Sequence, residues 1–520
     1  KIEVPTLFDY SKLYFDLTKE SCITFTDNEK VYDVVLADTP DQGILVALVN
    51  GIVIKNGGIH TDEIMGNVVN VIKEFFNKNL DGITLTKRDI VNHVSLFISA
   101  RLIAPEFKNQ VKDYLSGLRP RTGPNGEKIP RKLPSVSVPE KLINGIKKWQ
   151  LVLKIGEQIE MKQFNKLKKT DGKSKNPKVA KLDDANFAKN PKTTHMATLL
   201  VCEGDSASTY LEEFISNCPN GSGRDLYGIL PLRGKMLNAL NANFIQLLNN
   251  LEFNNIKKAL FLEEGLDYRI EANRKRLRYS QIIIVPDSDS DGKHVCGLAL
   301  LFFLTRFYTL VETGYIKFLR TPILTVKKGA TYFKFYTPES YDTWKTRNPD
   351  FETWNHQYFK GLGSAEEKSI REEYLAPKLV RFFVDASTKE SIELAFKKTE
   401  VDKRKQWLNH FFNTQTPDLE MYTDLPISAF INYEMVGYSI ESITRALPEA
   451  YDGLKESQRK ALYTAMKRLG VSGNKTIKVA QIASAAAEVT MYKHGETALA
   501  DAIVLMAQNY IGSNNLPFFS

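Results

Sequence analysis

QIIIVPDSDSDG, residues 281–292, carries the clearest indication of the fold class of this chain. Its apolar run does not alternate with polar residues, which is typical of a strand buried on both faces of a parallel sheet. Asp287, Asp289 and Asp291 follow at every second position, and on an extended segment such residues lie on the same side. Converging carboxylates repel one another unless a cation offsets their charge. The stretch therefore predicts an α/β domain with a site for a hard divalent cation such as Mg2+ at the end of a strand.

The same aspartates allow two other interpretations. A calcium-binding EF-hand loop also begins D-x-D-x-D-G, but it requires a glutamate at its twelfth position, which is Leu298 here. A solvated acidic turn is the other alternative, although four consecutive apolar residues seldom lead into such a turn. The strand that enters the motif favours the metal site.

A second strand also ends in an acid. Residues 197–202 are apolar, and they are followed by Glu203 and then by Gly-Asp-Ser-Ala at the start of a helix. From about residue 193 the pattern alternates between strand and helix, as in an open α/β sheet. Such sheets keep their sites at the carboxyl ends of the strands, so we expect Glu203 to join the aspartates.

Composition sets broad limits on the class of protein. The chain has 520 residues, of which 43% are hydrophobic and 25% charged, enough for about three or four soluble domains. No apolar run approaches the roughly 20 residues that span a bilayer, and no signal peptide is visible. Because the first residue is Lys1, we expect a fragment of a longer protein. The four cysteines form no C-x-x-C pair, which favours a reducing compartment, cytosol or nucleus.

The net charge is +9, and its distribution is uneven. Residues 161–181 contain eight lysines and one acid, Asp171. Such a run is either a solvated segment or a surface that attracts a polyanion. P-loop and G-x-S-x-G patterns are absent from the sequence.

Periodicity predicts the remaining elements. We expect a strand over residues 44–54, helices over 63–77, 87–102 and 142–167, and linker chemistry over 117–139. Residues 385–413 are charged and helical, and the sequence from 427 onward is mainly helical. In residues 454–469 the apolar positions form one stripe and leave the basic residues exposed.

Several stretches then agree, in order, with one family. The sequence resembles the type IIA DNA topoisomerases, particularly the eukaryotic and large-DNA-virus type. Four stretches look like Toprim motifs: VCEGDSA (201–207), PLRGKMLN (231–238), PDSDSDG (286–292) and YFKGLGS (358–364). KLDDAN (181–186) is similar to the segment that leads into that domain. DGLKESQRKAL (452–462), KVAQIA (478–483), YKHGE (492–496) and AQNYIGSNNL (507–516) resemble the winged-helix part of a DNA gate.

The resemblance implies a multidomain fold of α/β and α+β type. We expect a transducer domain over residues 1–116, in which VNGIVIKNGGIHTDEI carries the likeness. A linker with a long helix and the lysine-rich segment would cover 117–192. A Toprim domain with a Rossmann-like parallel sheet would cover 193–385, and a helical connector with an incomplete winged helix would cover 386–520.

The resemblance also implies roles for individual residues. Glu203 and Asp287 would hold a catalytic Mg2+, Asp287 and Asp289 a second one, and Asp291 is a further candidate ligand. Glu203 would also act as acid and base towards the leaving oxygen. DNA would be contacted by the side chains of Lys235, Asn238, Lys455, Arg459 and His494.

NQVKD (109–113) stands where the family has a Q-T-K loop. Gln110 and Lys112 would therefore sense ATP bound to a preceding domain, with Val111 in place of the threonine. The nucleophilic tyrosine of this family belongs to an Arg-Tyr pair beyond the SNNL motif, so we expect it outside the chain. We assign no catalytic role to Arg278-Tyr279, because that pair opens the strand into the aspartates.

The implied function is ATP-dependent, Mg2+-assisted cleavage, strand passage and religation of double-stranded DNA by a homodimer, without a membrane partner. These 520 residues alone are expected not to cleave DNA. The alternatives are a Toprim nuclease or primase, and a non-catalytic DNA-clamping scaffold. A cellular member would act in the nucleus, and a viral one in a cytoplasmic factory or virion.

Overall fold

The computed structural model describes residues 3–76, 83–139, 141–171, 179–359, 361–412, 417–469, 476–490, 492, 495–508 and 510. They belong to two compact units, one formed by residues 1–169 with 243–248 and the other by 170–242 with 249–520. Within the described residues, no helix combines the length and apolar character needed to cross a membrane. The lysine-rich run lies partly outside the described residues, at 172–178.

The first unit is built on a five-stranded sheet of order β1-β2-β5-β3-β4. In this sheet β5 pairs antiparallel with β2 and parallel with β3. The strands of this unit are β1 (Cys22–Thr26), β2 (Tyr32–Asp38), β3 (Leu45–Val49), β4 (Ile52–Ile54), β5 (Val94–Ala100), β6 (Pro105–Phe107), β7 (Leu115–Leu118), β8 (Arg121–Thr122) and β9 (Lys128–Ile129). Its helices are α1 (Leu7–Ser11), α2 (Ile59–Phe76), α3 (Lys87–Val91), α4 (Lys141–Ile146) and α5 (Gln150–Lys168).

The helix predicted over residues 87–102 is confirmed only as far as Val91 and is wrong beyond it. Thr86 and Asp89 cap α3 reciprocally, and this helix ends at Val91. The apolar residues that follow form β5, buried between two neighbouring strands. Tertiary pairing therefore overrides a helix-like spacing that is also compatible with a fully buried strand.

Two other predicted elements each consist of two shorter elements in the structure. The strand predicted over 44–54 is a hairpin, because Asn50 and Gly51 both adopt positive φ between β3 and β4. The helix predicted over 142–167 is divided into α4 and α5. The carboxylate of Asp38 accepts the backbone N–H groups of Gln150 at 2.7 Å and Leu151 at 3.1 Å, which fixes a new helix start.

The second unit contains a six-stranded sheet of order β11-β10-β12-β13-β17-β18 and a three-stranded sheet of order β15-β14-β16. The strands are β10 (Thr198–Glu203), β11 (Tyr227–Leu232), β12 (Gln281–Val285), β13 (Ile316–Arg320), β14 (Leu324–Lys328), β15 (Thr331–Phe335), β16 (Asn355–Tyr358), β17 (Lys378–Phe383) and β18 (Asp424–Pro426). Strands β11, β10, β12 and β13 are mutually parallel. The predicted parallel sheet is confirmed, and Ile282 to Val285 are buried as expected for its interior.

Most helices after residue 203 lie in the second unit, beside this sheet or in the carboxyl-terminal part of the described chain, whereas residues 243–248 belong to the first unit. Residues 430–435 form a π-helical turn that joins α17 to α18. The helices are α6 (Gly204–Ser216), α7 (Gly223–Leu226), α8 (Phe244–Asn249), α9 (Leu251–Leu260), α10 (Glu271–Arg274), α11 (Ser290–Arg306), α12 (Tyr308–Val311), α13 (Pro338–Arg347), α14 (Glu367–Leu375), α15 (Thr388–Phe396), α16 (Val401–Phe412), α17 (Ile427–Ala429), α18 (Val436–Ala446), α19 (Glu456–Leu469), α20 (Val479–Thr490) and α21 (Glu496–Ala507).

Helices α19, α20 and α21 pack around one apolar cluster. Ala461 and Ala465 of the predicted stripe are buried there, whereas Met466 is 51% exposed. The mainly helical character after residue 427 is confirmed for the described residues. The winged-helix assignment stays a prediction.

The Arg278-Tyr279 pair is part of the core. Both side chains donate hydrogen bonds to the carboxylate of Asp184, and Arg278 also donates to the carbonyl of Ala259 at 3.0 Å. Tyr279 is 1% exposed. The KLDDAN segment thus supplies the acid that pairs with these two side chains.

A buried ion-pair group joins the large sheet to the helices beside it. Glu434 accepts from Arg320 at 2.5 Å and lies 3.0 Å from the ammonium group of Lys293. The exposed fraction of the side chain is 8% for Glu434 and 1% for Arg320. Charges this well buried depend on one another, because either cation left alone would be desolvated without compensation.

We predict that Glu434→Gln lowers the free energy of unfolding by about 3–5 kcal/mol, because it leaves the buried Arg320 and the partly buried Lys293 without their counter-ion. Chemical denaturation followed by circular dichroism measures this change. The matched control is Glu271→Gln, whose pair with Lys275 is exposed, and its free energy of unfolding should stay nearly unchanged. Equal effects of the two substitutions would contradict the importance of burial.

Candidate functional site

The site lies at one edge of the large sheet, where two parallel strands end. Cys202 of β10 lies opposite Val285 of β12. Glu203 is the last residue of β10, and the aspartates follow directly after β12. The parallel register therefore delivers Glu203 and the aspartate segment to the same edge, as the sequence predicted.

Each of the first two aspartates has a defined hydrogen bond. Asp287 accepts the backbone N–H of Leu362 at 3.0 Å, within the YFKGLGS stretch. Asp289 is the N-cap of α11 and accepts the backbone N–H of Gly292 at 2.9 Å. The glycine-rich stretch and the helix start thus fix these two carboxylates.

Asp291 differs from the sequence expectation in its backbone. Since α11 begins at Ser290, Asp291 lies in the first turn of a helix and not on an extended segment. Its carboxylate accepts hydrogen bonds from Lys235 and, at 2.8 Å, from Arg445. Helix formation has turned this carboxylate towards two cations.

The electrostatics divide the acids into two kinds. Burial raises the pKa of Glu203 to about 7, assisted by the negative charges of Asp287 and Asp289. Burial likewise raises the pKa of Asp287. Burial alone would also raise the pKa of Asp291, but Arg445 and Lys235 bring it down to about 2.

The carboxylates of Glu203 and Asp287 fit Mg2+ in chemistry, since they are hard oxygen donors whose mutual repulsion a cation would relieve. Across the residues that the structure describes, no three His, Cys, Asp or Glu side chains form a closed metal-binding group. Mg2+ is commonly held by one or two carboxylates, with water and substrate phosphates completing its shell. A pair of acids at the strand ends is compatible with that kind of site.

Two cations stand beside the acids. Lys235 contacts Asp291, and its ammonium group lies 4.4 Å from the ring centroid of Tyr438. Arg445, at the end of α18, was not among the residues selected from the sequence. No local pattern identifies Arg445, because its neighbour Asp291 is 154 positions away.

The other predicted DNA contacts have varied surroundings. Asn238 donates to the carbonyl of Phe396 at 2.9 Å and accepts from the N–H of Leu240 at 3.1 Å, so its amide shapes the local turn. Arg459 forms a two-pronged pair with Asp452, at 2.6 and 2.9 Å. Lys455 is half-buried just before α19. His494 lies outside the described residues.

Gln110 and Lys112 are exposed in the first unit, on the loop between β6 and β7. Lys112 has a φ of 58°, and its ammonium group lies 5.9 Å from the ring centroid of Phe107. Their role in ATP sensing stays a prediction.

Family models match four successive parts of the chain. Residues 9–121 match "DNA gyrase B", 198–321 match "Toprim domain" and 319–443 match "C-terminal associated domain of TOPRIM". Residues 445–520 match the A-type chain of "DNA gyrase/topoisomerase IV".

Curated relatives match over nearly the whole chain. DNA topoisomerase 2 of Invertebrate iridescent virus 6 is 34% identical over 99% of this chain and 47% of its own length. DNA topoisomerase 2-alpha of Cricetulus griseus is 34% identical, and that of Homo sapiens 33%; each match covers 91% of this chain and 31% of the relative. The chain therefore spans between about a third and about half of the length of these relatives.

A solved structure is also similar. It is the DNA-binding, cleavage and re-ligation domain of Plasmodium falciparum topoisomerase II, with a TM-score of 0.57 and 34% identity. The match covers 66% of this chain and 46% of the other.

Substitution of the two kinds of acid should change the free energy of unfolding of the metal-free protein in opposite directions. The folded pKa of Glu203 lies above its unfolded value, so its ionisation costs stability as pH rises from about 4.5 to about 7. Glu203→Gln should therefore raise the free energy of unfolding at pH 8.5 by about 1–2 kcal/mol, after allowance for partial exposure, and this gain should vanish near pH 5.

Asp291→Asn is the matched comparison. The folded pKa of Asp291 lies below its unfolded value, so its stabilisation is present at pH 8.5 and is lost only in strong acid. This substitution should lower the free energy of unfolding by about 1–2 kcal/mol at both pH values. Denaturant titrations at pH 5 and 8.5 measure both variants, and a loss of stability in Glu203→Gln at pH 8.5 would contradict the proposed repulsion.

Proposed function

Because the chain belongs to the type IIA DNA topoisomerase family, we propose that it forms part of an enzyme that changes DNA topology with the use of ATP. That enzyme would cleave both strands of one duplex transiently, pass a second duplex through the break and reseal it as a homodimer. The observation that carries this proposal is the meeting of Glu203 and the aspartates with Lys235 and Arg445 at one sheet edge. Acids that hold Mg2+ beside cations that hold phosphate are what phosphodiester transesterification requires.

Glu203, Asp287 and Asp289 would hold Mg2+, with Asp291 as a further candidate. A bound Mg2+ would offset the charge that develops on the phosphate oxygens during transesterification. Burial raises the pKa of Glu203 in the metal-free protein, and we propose that this carboxyl group passes a proton to the leaving 3′ oxygen. The Leu362 N–H and the α11 N-terminus orient the neighbouring aspartates for this task.

Lys235, Arg445, Lys455 and Arg459 would bind the DNA backbone near the acids. Asn238 and His494 are further candidates from the family resemblance. Contacts with phosphate position a duplex without reading its sequence, which suits an enzyme that acts at many sites. Gln110 and Lys112 would transmit the state of ATP bound elsewhere in the enzyme.

Two other functions are distinguishable from this one. A Toprim nuclease or primase would need no tyrosine that becomes linked to DNA. A DNA-clamping scaffold would not need the acids, yet Glu203, Asp287 and Asp289 are all present. Tyr279 of the Arg278-Tyr279 pair is buried against Asp184 and is not accessible to DNA. We propose that these 520 residues alone form no covalent DNA adduct.

Asp289→Asn tests the role of the acids. Asparagine preserves the cap of α11 but removes the charge, so the fold should persist while Mg2+-dependent relaxation falls by at least about 100-fold. The assay uses a protein in which this chain is joined to the regions that its relatives have outside the match. Asp402→Ala, at a side chain that is 92% exposed, is the control and should retain activity.

Relaxation that survives in Asp289→Asn would remove this aspartate from the proposed metal site. A covalent adduct formed with the 520 residues alone would contradict the proposal that they do not suffice for cleavage.

Lys235→Ala tests the phosphate contact. We expect weaker binding of a short duplex, and a plot of log affinity against log salt whose slope falls in magnitude by about 1. Fluorescence anisotropy at several salt concentrations measures both. Lys275→Ala, which removes an exposed lysine paired with Glu271, is the control, and an equal change of slope there would indicate a loss of general charge only.

A further inference from the structure

A cavity of about 620 Å3 lies in the second unit beside the candidate site. Its wall is formed by the start of α11, by α13, by the end of β16 and by residues from the π-helical turn and α18. Asp289 and Ser290 belong to this wall, and Ser290 donates a hydrogen bond to Glu441, which also lines the cavity. The volume falls in the range of small-molecule sites, which is about 300–1,000 Å3.

Aromatic rings form part of the lining. The tyrosines of this wall come from four separate segments: Tyr336, Tyr341, Tyr358 and Tyr433. Phe359 and Phe411 add two further rings. The faces of such rings attract cations, and the ammonium groups of Lys345 and Lys378 already lie 4.8 and 4.0 Å from the ring centroids of Tyr341 and Tyr336. The rings of Tyr358 and Tyr433 are the ones offered to a ligand.

Glu339 gives the cavity an uncompensated negative charge. Its carboxylate is half-buried, and burial raises its pKa, assisted by the charges of Asp418, Glu434 and Asp342. Among the described residues, no lysine, arginine or histidine forms an ion pair with Glu339. A partly desolvated carboxylate surrounded by other acids is a favourable counter-ion for a cation that enters the cavity.

The other acids in the wall have partners. Glu434 is paired with Arg320 and Lys293, and Asp342 lies 2.5 Å from the ammonium group of Lys345. The lysines of the wall are therefore already engaged by acids other than Glu339. The wall also carries the carboxylates of Asp289 and Glu441, and the aromatic faces beside these acids favour an organic cation over a bare metal ion.

We propose that this cavity binds a small organic ammonium ion, with Glu339 as its counter-ion and the tyrosine rings as its walls. The cavity adjoins the strand-end acids, because Asp289 lies in the boundary of both. The proposal does not rest on the function proposed above, since it concerns a ligand and not the reaction on DNA.

Calorimetric titration of the 520-residue protein with spermidine, in the presence of Mg2+, tests the proposal. We expect one molecule to bind, and Glu339→Gln to weaken binding by about tenfold, the loss expected for one charge-assisted contact. The matched control is Glu352→Gln, which removes the same charge at an exposed position outside the cavity and should leave binding unchanged. Thermal unfolding of both variants verifies that the fold persists.

Substitutions of Tyr433 test the aromatic wall. Tyr433→Phe keeps the ring and should bind tetramethylammonium, a cation without hydrogen-bond donors, as the parent does. Tyr433→Leu removes the ring and should weaken binding by about two- to fivefold.

Three results would overturn the proposal. One is the failure of both probes to bind the parent protein. Another is an equal effect of Glu339→Gln and Glu352→Gln, which would indicate a general charge effect. The last is displacement of spermidine by Mg2+ with no effect of Glu339→Gln, which would place the cation at the strand-end acids.

Discussion

The parallel pairing of β10 with β12 is the interaction on which the rest of the site depends. Cys202 and Val285 lie opposite each other, so β10 and β12 end at the same level of the sheet. A shift of this register by one residue would turn Glu203 to the other face of its strand, because side chains alternate along a strand. The apolar residues of both strands are buried on both faces, and this burial fixes the register.

The second constraint is electrostatic. Glu203 and Asp287 are kept close without a described ion-pair partner, whereas Asp291 is held by Lys235 and Arg445. The carboxylates of Glu203 and Asp287 therefore repel each other, whereas the charge of Asp291 is offset by its two cations. A cation and a phosphate are the two ligands that would complete such an arrangement, the first at the unpaired acids and the second at the basic residues.

Helix α11 links the features of this region. Its N-terminus carries Asp289 and Ser290, its first turn carries Asp291, and Lys293 joins the buried pair with Glu434. The same helix start borders the aromatic cavity. A change in the position of α18, which contributes Glu441 and Arg445, would therefore act on the acids and the cavity together, because both are bonded to the start of α11.

The sequence alone determined the buried strand, the parallel sheet and the acids at its edge, because a continuous apolar run followed by carboxylates has few other solutions. The spacing of apolar residues did not distinguish helix from strand over residues 87–102. There the chain forms α3 and then β5, which pairs with two neighbouring strands. Only the tertiary structure brought Arg445 to Asp291 and placed Glu339 in the wall of a cavity with no ion pair to any other described residue. Contacts between residues more than a hundred positions apart leave no local periodicity, so they are decided by the packing of whole elements.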